Sequence, residues 1–321
     1  MGDGGDGDAV GDERLPVRSR RPWRILALAA LLALTACAPR PAPAPSVSGT
    51  LELRFLDVGQ GDAALVRNAG KAVLVDAGPT DAIAGKLRAL GVDSLDLAVA
   101  SHNHSDHIGG MDAVLAGIPV RYYLDNGDPA NTRIQRTVLQ LVRDRRVTYL
   151  QATARTVEIG DARLRVIPSP VQVDPADQND HSVALLLERG AFKALLTGDS
   201  ERRELEALLH EGGIPDVDVF KAPHHGSRTG ILDGWLERIR PEVVVISVAA
   251  HNDYGHPHAE ALAAYGAAAR TVLRTDRDGD VIVTVDAAGC YEVRTTHAGA
   301  VPVARGGPGA CAAPPAQEVS P

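Results

Sequence analysis

The sequence predicts an α/β fold in two β-rich halves, with sheets packed face to face and helices outside. Three features predict it. Apolar runs of strand length recur from Leu51 onward, amphipathic stretches of helical length alternate with them, and Gly-containing turns separate them. A chain of 321 residues, 45% hydrophobic and 23% charged, suits one or two globular domains and excludes disorder, collagen and coiled coil.

The first half opens with strands over 51–58, 63–67 and 72–76, then a helical stretch over 80–90 and a strand over 97–100. Helical patterns cover 108–116 and 132–143, with short strands near 120–124 and 147–150. Strands follow over 156–159 and 162–167, and the runs 183–187 and 192–197, joined through Arg-Gly, predict a hairpin. The second half continues with helices over 201–210, 232–239 and 259–268, alternating with strands over 217–221 and 243–248, through Val272, and over 281–285. From 287 to 321 the chain is rich in Ala, Gly and Pro and reads as a loose tail.

Charge and composition narrow the function classes. Lys plus Arg number 33 against 41 Asp plus Glu, a net charge of -8 that gives no global attraction for phosphate backbones. Aromatic residues make only 3% of the chain, few for the stacking platforms of single-strand binders. Arg133, Arg136, Arg143, Arg145 and Arg146 form either a local basic face or a solvated helix surface.

The start of the chain reads as an address. Arg18, Arg20, Arg21 and Arg24 precede the apolar run 25–36, which ends in Leu34-Thr35-Ala36-Cys37. This has the layout of a secretory signal over residues 1–36, and the run is shorter than the roughly 20 residues that span a bilayer. Leu-Thr-Ala-Cys resembles a bacterial lipobox, which makes Cys37 the lipidated residue and the protein an exported lipoprotein anchored to the cell envelope by its lipid. Residues 37–49 then form a stiff Pro-rich linker to a domain over 50–286. Cys290 and Cys311 fit equally a bridge pinning the tail or two free thiols.

The chemistry concentrates in Ser101-His102-Asn103-His104-Ser105-Asp106-His107-Ile108-Gly109-Gly110. Three of the chain's eleven His and one Asp fall within six residues, between a strand end and a helix start. His102 and His104, two apart on extended backbone, point to one side, while Asp106 and His107 at the turn face a neighbouring centre. Imidazole and carboxylate together suit zinc, manganese or iron.

His102 to His107 match the signature His-x-His-x-Asp-His, and here the sequence resembles the metallo-β-lactamase superfamily. Four further segments resemble the hydrolase domain of ComEC-type competence proteins: Phe55-Leu56-Asp57-Val58-Gly59-Gln60-Gly61-Asp62-Ala63, Leu196-Thr197-Gly198-Asp199, Lys221-Ala222-Pro223-His224-His225-Gly226-Ser227 and Tyr254-Gly255-His256-Pro257-His258. The resemblance implies a four-layer αββα sandwich with two divalent metal ions, Zn2+ or Mn2+, at the strand-end edge of the sheets. It makes His102 and His104 ligands of one ion and Asp106 and His107 ligands of the other, with Asp199 bridging both. On purely local grounds Asp199 also reads as a helix N-cap. His225 is expected as the third protein ligand of the first ion and His256 as that of the second. Asp106, Asp199 and His224 stand at the reacting centre, His224 as a proton donor to the leaving group. Asp76, and with it Asp62, is expected behind the ligands, where such carboxylates fix imidazole tautomers. In Gln178-Asn179-Asp180-His181-Ser182 many relatives with other substrates carry a ligand His, whereas ComEC-like sequences show Asn-Asp-x-Ser, so His181 is a ligand, a substrate-facing residue or a structural one. His258 reads as a helix start.

The activity implied is metal-dependent hydrolysis. A water shared by two cations about 3.5–4 Å apart loses a proton near neutral pH and attacks phosphorus in line. The ComEC resemblance points to a phosphodiester substrate, DNA first. Two alternatives stand beside it: a surface esterase acting on small or wall-polymer phosphodiesters, and a non-catalytic binding lipoprotein of an envelope complex.

Overall fold

The computed structural model describes residues 49–129, 131–171, 177–309 and 311. The expected signal peptide, Cys37 and nearly all of the Pro-rich linker lie outside the described residues. The chain runs β1 (Leu51–Phe55), β2 (Ala64–Asn68), β3 (Lys71–Val75), α1 (Ala82–Ala89), β4 (Leu95–Val99), α2 (Ser105–Ile108), α3 (Met111–Gly117), β5 (Val120–Asp125), α4 (Arg133–Asp144) and β6 (Thr148–Gln151). The second half runs β7 (Arg155–Ile159), β8 (Ala162–Ile167), β9 (Ala184–Arg189), β10 (Phe192–Leu196), α5 (Arg202–Glu211), β11 (Val219–Lys221), α6 (Asp233–Ile239), β12 (Val243–Ile246), α7 (Ala259–Ala268), β13 (Thr271–Arg274), α8 (Thr275–Asp278), β14 (Val281–Val285), β15 (Tyr291–Thr295) and β16 (Ala304–Gly306).

Among the described residues these strands form a nine-stranded sheet, β16-β15-β14-β1-β2-β3-β4-β5-β6, and a seven-stranded sheet, β13-β12-β11-β10-β9-β8-β7. Alternation along the strands builds the layers, because successive side chains leave opposite faces. Leu53, Phe55, Val73 and Val75 of the first sheet join Leu185, Leu187, Phe192, Ala194 and Val245 of the second in one core between the sheets. Leu65, Leu74 and Ala98 face the other way, onto Ile83, Leu87, Met111, Val114 and Val138 of α1, α3 and α4. Leu186, Leu195, Val244 and Ile246 likewise meet Leu205, Leu208, Trp235 and Tyr265 of α5, α6 and α7. The result is the αββα sandwich.

Strands β3, β4 and β5 run parallel, as do β10, β11, β12 and β13. Their carboxyl ends carry Asp76, Ser101 and Asn126 from one sheet and Asp199, Ala222 and Ser247 from the other. Ligand sites in open α/β sheets lie outside such carboxyl ends. Two local expectations change. The helix expected over 108–116 is interrupted after Gly109, where Gly110 leaves helical backbone at φ -96 and ψ 1, and both positions need glycine, since a Cβ on Gly109 would stand 2.4 Å from the Pro79 carbonyl oxygen and one on Gly110 2.3 Å from that of Thr80. The loose tail expected from 287 is instead ordered through β15 and β16, which extend the first sheet beside β14. Tyr291 and Val293 alternate inward and are buried, the Tyr291 ring packs 5.5 Å from Phe192, and Cys290 is bonded to Cys311.

Candidate metal centre

Three loops are stitched together beneath the site. Asp62 N donates to the Asp106 carbonyl (3.1 Å), Gly78 N to that of Asp62 (2.8 Å) and Ala77 N to that of His107 (2.7 Å). Gly61, at φ +144, lies so close that a Cβ there would sit 2.2 Å from the Asp106 oxygen, so no larger residue fits. His104 is extended at the start of α2, which places Asp106 and His107 on its first turn.

Asp76 stands at the end of β3 with φ +58. Its carboxylate accepts from Ser101 N (2.7 Å), from Ser101 Oγ (2.8 Å) and from His107 Nδ1 (2.9 Å). His107 Nε2 is thereby turned toward Asp199, 3.1 Å from Oδ2. His225 is oriented by the same logic from the other sheet. Its Nδ1 donates to the Ser247 carbonyl (2.9 Å), and its Nε2 lies 3.1 Å from Asp106 Oδ2 and 3.3 Å from Asp199 Oδ2. Fixing one ring nitrogen in this way leaves the other as the ligand atom. His224, His225 and Gly226 all adopt positive φ, and this tight turn delivers His225 inward while His224 stays at the mouth.

The donor atoms of Asp106, His107, Asp199 and His225 all lie within 4.8 Å of one another. Two imidazoles and two carboxylates in that space match the ligand chemistry of a divalent ion. His107 Nε2, the ring nitrogen turned toward the cluster, is buried without a hydrogen-bond partner, as a donor held for an ion would be. The four residues therefore fit a metal. His102 and His104 form a pair beside them, His102 Nε2 3.0 Å from His104 Nδ1 and the His102 ring 4.1 Å from that of His107.

The expected partition of ligands is corrected in one respect. His225 does not stand with His102 and His104; it joins Asp106 and His107, the place expected for His256. His256 lies further out, its ring 6.2 Å from that of His225 and 5.3 Å from that of His224. The reason is the left-handed turn, which sequence spacing does not reveal. Asp199 is not the cap of α5, because the Glu201 and Glu204 amides donate to Asp180 Oδ1 (2.8 and 3.2 Å). His181 pairs with Asp128 (2.7 Å) in a cavity lined by Asn126, Gln151 and Ser169, apart from the four-donor cluster. His258 stands before α7, its Nδ1 accepting from Arg228 N (3.1 Å).

Three further residues belong to the site although sequence reasoning assigns them no role, two of them, Ser101 and Lys221, inside segments singled out for their neighbours. Lys221 is buried with its ammonium on Asp62, 3.1 Å from the Gly198 carbonyl and 3.7 Å from Asp199 Oδ1. Glu201 holds His224 Nδ1 at 2.9 Å, leaving His224 Nε2 3.9 Å from Asp199 Oδ2. Ser101 braces Asp76. A lone Lys in an apolar strand and a surface-like Glu carry no spacing signal.

Electrostatics divides the histidines. Burial alone would lower His107 and His225, but Asp199 with Asp76 raises His107, and Asp199 with Asp62 raises His225, well above the usual imidazole value. Burial and the neighbouring His107 hold His102 well below it, and burial with His224 lowers His256 to about 4. Despite burial, His107 and His225 keep Asp199 well below the carboxylate range. Burial lifts Asp76 in spite of His107, and Asp199 is the larger of the two carboxylate contributions that raise His107.

The chain is 29% identical over 261 residues to ComE operon protein 3 of Bacillus subtilis (strain 168), covering 74% of this chain and 33% of that protein. It is 30% identical over 272 residues to competence protein ComA of Neisseria gonorrhoeae, covering 81% and 35%. It thus spans about a third of the length of these relatives. Among solved structures, the metallo-beta-lactamase fold protein YhfI of Bacillus subtilis aligns with 69% of this chain and 95% of its own, at 11% identity and a TM-score of 0.45. Residues 56–251 match the metallo-beta-lactamase superfamily, and the chain belongs to that family.

Proposed function

We infer that this chain is a metal-dependent phosphodiesterase, with a nucleic-acid strand as its leading substrate, working at the envelope surface as a hydrolase domain related to DNA uptake. The observation that carries the reading is the convergence of Asp106, His107, Asp199 and His225 from three distant stretches onto one ion-sized space. His102 and His104 beside it would serve a second ion. Bound divalent cations act as Lewis acids on phosphoryl oxygens and make water nucleophilic near neutral pH.

The protein's own groups then have distinct tasks. Asp76 and Ser247 lock the His107 and His225 rings, and Lys221 holds Asp199 from behind so that Oδ2 faces the donors. His224, partly exposed and oriented by Glu201, presents Nε2 at the mouth, where it donates a proton to the leaving oxygen. Export is supported by the Cys290–Cys311 bond, since disulfides persist in oxidising compartments.

The test is hydrolysis of bis-p-nitrophenyl phosphate and of a single-stranded oligonucleotide by purified protein with Mn2+ or Zn2+. Turnover of both, abolished by Asp199→Asn, is expected. Cleavage of the small diester alone would favour the esterase reading, and turnover of neither by metal-loaded protein would favour the non-catalytic one.

A further inference from the structure

Tyr254 is 64% exposed, which makes it an unusual residue in a chain so poor in aromatics. Among the described residues the other exposed large hydrophobic side chains are Tyr149, Val301 and Val303, so Tyr254 is not part of an apolar docking patch. Nor is it a loosely held loop residue. One side chain, Asn252, ties the loop with four hydrogen bonds. Its amide donates to the carbonyls of Ala249 (3.1 Å) and His256 (2.7 Å), and its Oδ1 accepts from the amides of Tyr254 (3.2 Å) and His256 (2.9 Å). The Tyr254 ring stacks on the His256 ring, with centroids 5.6 Å apart and planes 22° from parallel. The His256 ring lies 6.2 Å from that of His225, whose Nε2 belongs to the four-donor cluster. An aromatic face is therefore held open to solvent, two ring-to-ring steps from the candidate metal centre.

We propose that Tyr254 is a specificity-determining residue, a stacking platform for the nucleobase next to the scissile phosphodiester. The proposal rests on the phosphodiesterase reading and narrows its substrate to one carrying a planar base. A base needs a single face, and Tyr254 offers one, the other being covered by His256. A quaternary ammonium is held by a cage of several aromatic faces, and among the described residues His256 is the only ring neighbour of Tyr254. The stacking energy comes from the ring and not from the hydroxyl, so Phe serves in its place.

The test uses the metal-loaded full chain and three substrates: a short single-stranded oligonucleotide, the same oligonucleotide with an abasic site, and p-nitrophenyl phosphorylcholine. Tyr254→Ala is expected to raise KM on the normal oligonucleotide about tenfold with kcat within about twofold, the loss that one base stack is worth. On abasic substrates cut at that site the two proteins should match, and Tyr254→Phe should behave as the native chain. A 2-aminopurine placed beside the cleaved bond should be quenched on binding to the native and Phe forms and not to the Ala form. Equal KM values for native and Ala proteins on the normal strand would overturn the proposal while leaving the phosphodiesterase reading intact. So would a loss confined to the phosphorylcholine ester, which would make the face a cation site. Absence of turnover on all three substrates would sink both.

Discussion

At the scale of the residue, Lys221 carries the clearest energetic consequence. Burial alone would lower the pKa of its ammonium, but Asp62 and Asp199 outweigh that and hold it above the usual lysine value. Removing it takes the ammonium from Asp62 and Asp199, a change that costs roughly 3–5 kcal/mol when one partner of a buried pair is lost. Lys221→Met should therefore destabilise the chelator-treated protein by about that amount in urea denaturation, and by less with saturating Mn2+. Equal stability to the native chain in chelator would show that the Lys221 contacts are worth nothing. His224 gives a kinetic prediction of a different kind. His224→Gln should lower kcat on a diester with an alkyl leaving group by about 10²–10⁴, the range for general acid catalysis, and far less on bis-p-nitrophenyl phosphate, whose leaving group needs no proton. A uniform loss on both would assign His224 to binding. Glu204 supplies a pH signature away from the ligands. Burial raises its pKa from 4.5 to about 8, against hydrogen bonds from Ser169, Ser200 and Ser182 that lower it. Stability from the protonated form is fully present below about 4.5 and is lost as pH rises through about 8. Glu204→Gln should thus match the native thermal midpoint near pH 5 and exceed it by several degrees near pH 9; parallel curves would contradict this.

At the scale of the element, strands and helices were legible where apolar runs of strand length or amphipathic patterns ran unbroken, as in β9, β10 and α4. The five arginines in and after α4 all lie exposed on its outer side. Elements were illegible where a local contact overrode the pattern. The backbone of Gly110 leaves the helical region and interrupts one helical stretch, at a place where neighbouring carbonyls leave no room for side chains. Strands β15 (Tyr-Glu-Val-Arg-Thr) and β16 are short and flanked by Ala-, Gly- and Pro-rich sequence, and the pairing of β15 with β14, of β16 with β15, and the burial of Tyr291 make them strands. In the centre, His102 to His107 and Asp199 were legible from residue type and spacing. The direction in which His225 points was not, because it depends on three consecutive left-handed residues. The Cys290–Cys311 bond closes a loop of 21 residues, and loops of about that size contribute about 3 kcal/mol. Cys290→Ser with Cys311→Ser should lower stability by that order and free β16 to fast amide exchange. Unchanged stability and exchange would mean that strand pairing alone holds this edge.

At the scale of the whole molecule, the two sheets bring Asp76 and the His102–His107 loop from one half against Asp199 and His225 from the other. Metal binding should couple both halves and be strongly pH dependent. In the metal-free protein Asp199 holds protons on His107 and His225, and each must leave before its Nε2 becomes a ligand. Affinity for Mn2+ or Zn2+ should rise as pH increases beyond the usual imidazole value, with proton release detectable in calorimetry. The most direct test of the convergent cation centre is anomalous diffraction from crystals grown with Mn2+ or Zn2+. A peak bonded to Asp106, His107, Asp199 and His225 is the predicted result, and metal-soaked crystals with no peak touching those four side chains would contradict the account.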